Sequence, residues 1–542
     1  MKKYILCCII TVMHSMVEAK APRLMVFIII DQFSAHYIPK LNPFLTGGLK
    51  FLSEEGISYV NAFYDQSMPA TAPGHALLST GTYASFHGVI NNLWYDVEGK
   101  KVRCDSDDRP QSAVFAPDGS LYCNGKSSKN LLADTFADQC MMHSYPHAHN
   151  EVWALSLKSR ASIMLAGKLG KPLWLDSKTG SFTSSKAYFE KLPSWVIEFN
   201  KEKNLAEKTE VTWKPFFDCS SPAYAFKEID NYRYSSLEKS LVGKTLPIEP
   251  KDYKSIFSKT PESNQLLLDL GLSCINTHYT GKETDRLIVY LSLSTLDKTS
   301  HTFGPQSKDV IDLLYHIDHQ LKEFMTQVYA KVPKEEVLFV LTADHGAPPI
   351  PEILNNQGFS LARRLNYPTI IEHINLLIEN KCGIKGIVQH FKEPQLYLNQ
   401  SILSSLTEAM QQTIYALIKN YIQSLPGVRR TWTFEELRRE TFEAYDLDRY
   451  MQRQLYKGRS GQIFYAISPY VMLDANTTGT SHSSEFAYDT QVPLIFYQKG
   501  TCMKKRVTKN VYIPQVVVSL ATMYNVPRPS AAAAEVLPEL PV

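Results

Sequence analysis

The 542-residue sequence lacks an excess of charge of either sign. It holds 57 basic and 54 acidic residues, which gives a formal net charge of +3 at pH 7. A chain of this length with nearly balanced charge has no electrostatic reason to bind nucleic acid as its main role. The hydrophobic fraction is 44% and the charged fraction is 20%. These values are typical of globular proteins, so a wholly disordered or fibrous chain is excluded.

The sequence also lacks a hydrophobic run long enough for a transmembrane helix, which needs about 20 apolar residues. The first 19 residues combine Lys2 and Lys3 with a short apolar run over 4–13 and end on the small residue Ala19. This pattern is typical of a secretory signal peptide, and we expect cleavage near Ala19. The alternative, a membrane anchor, would need a run about twice as long. We therefore expect a periplasmic or secreted protein without a stable membrane anchor.

Cysteine is scarce and has no recognisable spacing. Cys7 and Cys8 fall within the expected signal peptide, which leaves seven of the nine cysteines in the mature chain. An odd number leaves at least one unpaired within the chain, and sequence alone does not give the pairing. No Cys-x-x-Cys pair is present. Its absence argues against a thiolate zinc site and against a thioredoxin-type redox motif.

Short apolar runs and helical patterns alternate along the chain. Strands are predicted at 24–30, 286–293, 337–342 and 492–497. Continuous apolar runs of this length are typical of strands covered on both faces, as in a parallel sheet flanked by helices. Apolar residues at spacings of three and four predict a helix over 309–331, and a second helix is predicted near 401–425. The sequence thus predicts an α/β fold with a mostly parallel sheet.

Two regions interrupt this alternation, at about 95–285 and about 350–480. The first has weaker strand signals, and the second is long, charged and partly helical. No linker rich in glycine, serine or proline separates either region from the rest of the chain. We interpret residues 20–542 as one α/β domain that carries both regions as insertions.

Acidic and histidine side chains fall at the ends of the predicted strands. They are Asp31 after the first strand, Asp297 and His301 after the second, Asp344 and His345 after the third, and His482 shortly before the fourth. Taken alone, each has a simpler interpretation as a turn or helix-capping residue. Together they are expected to converge, because the carboxyl ends of parallel strands form the ligand-binding edge of an open sheet. Six nitrogen and oxygen ligands without a thiolate suit zinc or another divalent ion, in two sets of three.

The segment Thr71-Ala-Pro73-Gly-His75 adds a candidate nucleophile. Thr71 stands where a helix is expected to begin, and Pro73 fits a first turn because its missing N–H would be unsatisfied there. One interpretation makes Thr71 the helix N-cap. The other makes its hydroxyl a metal-activated nucleophile, since the exposed N–H groups of a helix N-terminus favour an anion. His75 and His87 are expected to be structural.

These residues, in this order, resemble the alkaline phosphatase superfamily. The similarity is greatest to the phosphate-irrepressible periplasmic alkaline phosphatases of bacteria. It rests on Asp31, the Thr71 segment, Asn91-Asn92, Asp297 with His301, Asp344-His345-Gly346 and Thr480-Ser-His482. The segments 87–96, 156–160 and 174–182 also fit that branch, so the resemblance spans about 24–500. It departs from the family pattern at Ser483 and Ser484, where a glycine is expected soon after His482.

The resemblance implies two zinc ions and a phosphothreonine intermediate. One ion would be held by Asp297, His301 and His482, and the other by Asp31, Asp344 and His345 beside the nucleophile Thr71. Asn92, Lys158 and Arg160 would bind the non-bridging phosphoryl oxygens, with Asn91 as an alternative to Asn92. The expected activity is hydrolysis of phosphate monoesters, and the expected partners are small phosphorylated substrates.

The main alternative is a nucleotide pyrophosphatase or phosphodiesterase with the same metal site. The pair Lys158 and Arg160 favours the monoesterase, because a monoester dianion offers two charges to two cations. Without the resemblance, this pair would be interpreted as ordinary solvated charges. A sulfatase is disfavoured because the Thr71 segment lacks the Cys/Ser-x-Pro-x-Arg pattern. A non-catalytic binding protein of the same fold is disfavoured because no metal-site position is lost.

Overall fold

The computed structural model describes residues 22–542 except 123, 144–148, 226–239, 250–252, 254, 444–445 and 477. The expected signal peptide lies outside the described residues, as does Cys123. All six described cysteines are free. Within the described ranges, no helix combines the length and the hydropathy needed to cross a membrane.

A sheet of ten strands forms the centre of the molecule. Its strands are β1 (Leu24–Ile30), β2 (Ile57–Phe63), β3 (Asn150–Ser156), β4 (Lys171–Asp176), β5 (Ser181–Thr183), β6 (Arg286–Leu293), β7 (Val337–Thr342), β8 (Gln491–Tyr497), β9 (Lys505–Val507) and β10 (Val511–Tyr512). They lie in the order β9-β2-β8-β7-β1-β6-β3-β4-β5, and β10 also pairs with β2. Strands β7, β1, β6, β3 and β4 are parallel. Every residue of β1 is buried, as expected for a strand covered on both faces.

Three of the four predicted strands have the predicted bounds, and the fourth, β8, begins one residue earlier, at Gln491. The α/β fold class is therefore confirmed. Strand β8 nevertheless runs antiparallel to both of its neighbours, β7 and β2. Its N-terminal end consequently lies beside the carboxyl end of β7. This direction explains how a residue before β8 can share an edge of the sheet with residues that follow the parallel strands.

Helices flank the sheet in two groups. They are α1 (Tyr37–Leu41), α2 (Gly48–Glu55), α3 (Thr71–Thr80), α4 (Ala84–His87), α5 (Phe136–Met142), α6 (Ser159–Ala166), α7 (Pro261–His278), α8 (Thr295–Phe303), α9 (Lys308–Lys331) and α10 (Pro514–Met523). Helix α9 contacts α2, α7 and α8, whereas α3 contacts α4, α5, α6 and α10. The predicted helix over 309–331 corresponds to α9, and the Ser307 hydroxyl accepts a hydrogen bond from its first turn.

The insertion expected at about 95–285 is too broad, because β3, β4 and β5 within it belong to the central sheet. Strand β3 reads Asn-Glu-Val-Trp-Ala-Leu-Ser, and its polar residues hide the apolar run that marks the other central strands. Besides α5, α6 and α7, the elements of this region that lie outside the sheet include the strands Leu93–Tyr95, Lys101–Arg103, Val114–Phe115, Leu121–Tyr122, Glu210–Trp213 and Lys244–Pro247, and the helix Ser194–Lys203.

Residues 351–473, which we call the cap, carry a second, smaller sheet of four strands. Its strands are Val388–Lys392, Gln395–Leu398, Val428–Thr433 and Ile463–Ile467, and a further pair is Arg363–Leu365 with Val471–Leu473. Its helices are Pro351–Asn356, Tyr367–Cys382, Gln400–Ser404, Glu408–Gln423, Phe434–Arg439 and Arg449–Gln452. The prediction of a single helix near 401–425 is wrong, because this segment forms two helices, Gln400–Ser404 and Glu408–Gln423. The Thr407 side chain accepts from Met410 N and starts a new helix there.

Candidate active site with two groups of metal-binding residues

The strand ends bring the six candidate metal ligands to one edge of the central sheet, in two groups. The two groups are Asp31 with Asp344 and His345, and Asp297 with His301 and His482. Within each group, the ligand atoms all lie within 4.8 Å of one another. The membership of the groups is the one that the resemblance implies.

The group of Asp31, Asp344 and His345 is completely buried. His345 Nε2 lies 3.4 Å from Asp31 Oδ1 and 3.6 Å from Asp344 Oδ2. In the described part of the chain, none of these three atoms has a hydrogen-bond partner. Buried carboxylate and imidazole atoms without partners are destabilising. Their convergence on one point fits a divalent cation.

The group of Asp297, His301 and His482 joins one helix to one loop. Asp297 and His301 stand four residues apart on α8, so their side chains share one face. His301 Nε2 lies 3.1 Å from Asp297 Oδ1, and His482 Nε2 lies 3.8 Å from the same oxygen. This group is less deeply enclosed, since the His301 side chain is 35% exposed. It therefore has the more accessible position for an exchanging ligand.

The three histidines are all oriented for metal binding through Nε2. Each Nδ1 lies close to a backbone carbonyl, at 2.7 Å for His301 to Thr480, 3.0 Å for His345 to Gly346, and 2.7 Å for His482 to Pro69. A carbonyl only accepts, so each Nδ1 carries the proton. In a neutral ring, Nε2 then keeps its lone pair, and an Nδ1 bond of this kind commonly orients metal-binding histidines.

Burial and charge set the protonation of these groups. Burial lowers the pKa of His345. Burial also lowers the pKa of His482, and repulsion from the nearby imidazoles of His345 and His301 lowers it further. Burial also opposes protonation of His301, but the Asp297 charge outweighs it and raises the pKa of His301. Two of the three histidines are thus held in the neutral form that binds metal.

Thr71 is the first residue of α3, and the N-cap is Ala70. Thr71 lies inside the helix and makes no capping bond, so the interpretation of Thr71 as the N-cap is wrong. Its Oγ1 instead lies 3.4 Å from Lys158 Nζ and 3.5 Å from Arg160 Nη2. Helix α3 can approach the strand end because Gly74 lacks a side chain. A Cβ there would lie only 2.5 Å from the Asp344 carbonyl oxygen.

Lys158 connects the two groups. Its Nζ lies 2.5 Å from Asp31 Oδ2 and 2.5 Å from Asp297 Oδ2. Burial opposes its charge, but Asp297 and Asp31 raise the pKa of Lys158. Burial and the neighbouring charges of Asp297 and Asp344 raise the pKa of Asp31. Burial would raise the pKa of Asp297 too, but the charges of Lys158 and His301 hold it well below its usual range. Lys158 is 5% exposed, so it is not an ordinary solvated lysine.

The structure distinguishes between Asn91 and Asn92. Asn92 Oδ1 accepts a hydrogen bond from Ala72 N at 2.8 Å, which brings its amide beside Thr71. The Asn91 amide is used elsewhere. Its Nδ2 donates to the Glu393 carbonyl of the cap at 3.2 Å, and its Oδ1 accepts from Asn92 N at 2.6 Å. Asn92 is therefore the candidate phosphate ligand.

Sequence reasoning missed Gln32, which directly follows Asp31. Its backbone N donates to Asp344 Oδ1 at 3.1 Å, and its Nε2 donates to Asp297 Oδ1 at 3.1 Å. Gln32 thus bonds one carboxylate of each group, with a backbone φ of 68° that side-chain-bearing residues rarely adopt. Strained backbone of this kind clusters at functional sites. Its place next to Asp31 was the only signal in the sequence.

Asp105 is a second residue that sequence reasoning missed. It is fully buried, and its Oδ2 accepts from Ser159 Oγ at 2.6 Å and from Lys126 Nζ at 2.5 Å. Ser159 lies between the two candidate phosphate-binding cations. The preceding residue, Cys104, donates its N–H to the Asn92 carbonyl at 3.1 Å. Residues 104–105 thus bond both segments that carry the three candidate phosphate ligands. Nothing in the sequence around Asp105 indicates this structural role.

Comparison with known proteins finds relatives that match almost the whole chain. Alkaline phosphatase PafA of Elizabethkingia meningoseptica is 27% identical over 532 residues, which cover 96% of this chain and 94% of that protein. Alkaline phosphatase PhoV of Synechococcus elongatus is 26% identical, over 96% of this chain and 93% of that protein. The crystal structure of wild-type PafA superposes with a TM-score of 0.83 at 26% identity, over 96% of this chain and 99% of that one. Residues 25–485 match the type I phosphodiesterase / nucleotide pyrophosphatase family. The chain belongs to the type I phosphodiesterase / nucleotide pyrophosphatase family.

Proposed function

We propose that this protein is an exported alkaline phosphatase that hydrolyses phosphate monoesters through a phosphothreonine intermediate on Thr71. The position of Thr71 Oγ1 supports this most directly, at 3.4 Å from Lys158 Nζ and 3.5 Å from Arg160 Nη2. A hydroxyl at a helix N-terminus beside two cations favours attack on a phosphate dianion. Similarity to the alkaline phosphatases PafA and PhoV supports the same activity.

Two zinc ions are the proposed cofactors. One would be held by Asp297, His301 and His482, and the other by Asp31, Asp344 and His345. Two carboxylates with one imidazole, and one carboxylate with two imidazoles, are donor sets that suit zinc. When bound, the ions act as Lewis acids that lower the pKa of the Thr71 hydroxyl and stabilise the negative charge on the departing oxygen.

The protein side chains account for the remaining steps. The Thr71 hydroxyl loses its proton and its oxygen bonds to phosphorus, while the bond to the ester oxygen breaks and the alcohol leaves. Lys158, Arg160 and Asn92 hold the non-bridging oxygens as their charge is redistributed in the transition state. Water then attacks the phosphothreonine, which releases inorganic phosphate and restores the hydroxyl of Thr71.

A phosphodiesterase that uses the same groups is the second candidate, because the family includes such enzymes by its name. The two cations near Thr71 favour the monoesterase. A monoester presents two negative charges on its non-bridging oxygens, whereas a diester presents one and needs space for a second organic group. Small phosphorylated molecules are the proposed substrates.

The deciding experiment compares an aryl phosphate monoester with the matching diester, using the purified mature chain with and without zinc. We expect a preference for the monoester, about two zinc ions per chain, and loss of activity on chelation. An active enzyme with one metal ion or none would contradict the two-metal assignment. A preference for the diester would favour the second candidate. N-terminal sequencing of the exported protein tests the proposed cleavage near Ala19.

A further inference from the structure

The residue after His482 has a strained backbone. Ser483 has a φ of 133°, in a region that glycine adopts freely and other residues avoid. The family resemblance predicts a glycine close to this position, and the chain has serine instead. A residue held in such a conformation needs surrounding contacts that keep it there.

Asp489 supplies these contacts from the short helix Ala487–Thr490, just before β8. Its Oδ2 accepts from Ser483 N at 3.1 Å, from Ser484 N at 2.9 Å and from Ser484 Oγ at 2.6 Å. The side chain is 1% exposed, so water does not compete for these bonds. One carboxylate oxygen therefore holds the turn that follows His482.

The same short segment is bonded to the loop that carries the other metal-binding group. The Asp489 carbonyl accepts from Gly346 N at 2.7 Å, next to His345. Gly346 is needed for this approach, since a Cβ there would lie 2.2 Å from the Tyr488 carbonyl oxygen. That carbonyl also accepts from Ser34 Oγ at 3.3 Å, in the loop after β1. Residues 488–489 thus bond three loops that carry candidate metal ligands.

We infer that Asp489 is a positioning residue that fixes the His482 loop against the His345 loop and offsets the backbone strain at Ser483. This inference rests on the proposed function, because it assigns Asp489 a role in holding His482 for metal binding. The hydrogen bonds of the Asp489 side chain go to Ser483 and Ser484, the two residues that follow the candidate ligand His482. Its effect is expected on metal affinity at the group of Asp297, His301 and His482.

Asp318 provides a matched control. It is 3% exposed and accepts from three backbone N–H groups, those of Thr46, Gly47 and Lys50, at 2.8, 2.6 and 3.1 Å. These partners lie at the start of α2, and none of them is a candidate site residue. Asp318→Ala removes a buried acceptor of the same kind without touching the histidine loops.

The experiment titrates zinc-loaded mature protein with a chelator and measures zinc retained per chain, beside the melting temperature. In Asp489→Ala we expect one of two ions to be lost at a chelator concentration at least tenfold lower than in the parent. Asp489→Asn keeps an acceptor oxygen and is expected to stay within about threefold of the parent. Asp318→Ala is expected to lose stability and keep both ions.

Ser483→Gly tests the strain and covers a failure of Asp489→Ala to fold. Glycine adopts this φ without strain, so the Asp489 substitution should weaken zinc retention less than threefold in the Ser483→Gly background. An equal zinc loss in Asp489→Ala and Asp318→Ala would overturn the positioning role, and an unchanged effect in the glycine background would overturn the strain argument. A parent chain that binds no zinc would overturn the proposed function itself, and this inference with it.

Discussion

The imidazole rings of His345 and His482 stack with their centroids 3.8 Å apart and their planes at 28°, although they belong to different groups of candidate metal ligands. The two groups are therefore neighbours whose positions depend on each other. Lys158 adds a second connection, since its ammonium contacts one carboxylate of each group. A substitution in one group is expected to affect metal binding at the other.

Removal of the Thr71 hydroxyl should abolish turnover and leave the fold and the metal content intact. Thr71 does not cap α3, so Thr71→Ala removes no capping bond from the helix. We expect kcat/KM for an aryl phosphate to fall by far more than tenfold, which corresponds to a change well above about 1.4 kcal/mol. Thr71→Ser keeps a hydroxyl and should retain part of the activity. Zinc analysis and circular dichroism serve as controls, and activity of Thr71→Ala within tenfold of the parent would exclude a nucleophilic role.

Arg160 should distinguish monoesters from diesters. A well-placed charged contact in a dry site contributes roughly 2–4 kcal/mol to transition-state stabilisation. We expect Arg160→Ala to lower kcat/KM for a monoester at least tenfold more than for the matching diester, with zinc content unchanged. The double variant with Lys158→Ala should show the same selectivity.

Lys158→Ala alone is the less specific variant, because its ammonium also contacts Asp31 and Asp297. We expect it to change zinc retention as well as monoester turnover. Measured zinc content separates the two effects. Equal losses for monoester and diester in Arg160→Ala would argue that the cations act on folding and would remove the main support for a monoesterase.

Gln32 should contribute through its amide. A hydrogen bond to a charged group contributes about 1.5–3 kcal/mol. Gln32→Ala removes the donor to Asp297 Oδ1 and keeps the backbone bond to Asp344. We expect at least a tenfold fall in kcat/KM or in zinc affinity. Gln454→Ala is a suitable control, since Gln454 is equally buried and donates to the Ile90 carbonyl. Similar kinetics for the two variants would show that Gln32 has no special role.

His87 should make the fold sensitive to acid. It is fully buried, and its Nδ1 accepts from Val89 N at 3.1 Å, a bond that protonation breaks. Burial, aided by Arg459, lowers the pKa of His87 to about 3. Between pH 6.5 and 3 the unfolded chain therefore binds the proton and the folded chain does not, so stability falls as pH falls.

Between pH 7 and pH 5, we expect the free energy of unfolding of the parent to fall by about 2 kcal/mol more than that of His87→Gln. The figure follows because one proton taken up only by the unfolded chain costs about 1.4 kcal/mol of stability per pH unit. Urea unfolding at the two pH values measures this difference. The other titrating groups are common to both proteins and cancel in the comparison. Parallel pH dependences would mean that His87 is protonated in the folded state.

The sequence predicted those parts of the site in which a metal-binding side chain comes soon after an apolar strand. Asp31, Asp297 and Asp344 each follow a continuous apolar run, and a parallel sheet brings such positions together. The direction of β8 was not predicted, because an apolar run shows only that a strand is covered on both faces, and β8 is covered in this way although it runs antiparallel to both neighbours. Gln32 was missed because its role depends on a backbone conformation. Asp105 was missed because its partners lie 21 and 54 residues away along the chain.

Strand order has a consequence for synthesis of the chain. Strand β2 is among the first to emerge from the ribosome, yet its partners in the sheet, β8, β9 and β10, all lie after residue 490. Both edges of β2 thus remain unpaired until nearly the whole chain has been translated, and exposed edges favour association with other chains. His482 lies shortly before β8 and is therefore also translated late. A nascent or C-terminally truncated chain is therefore expected to be inactive, and the completed sheet and the assembled metal groups should appear together.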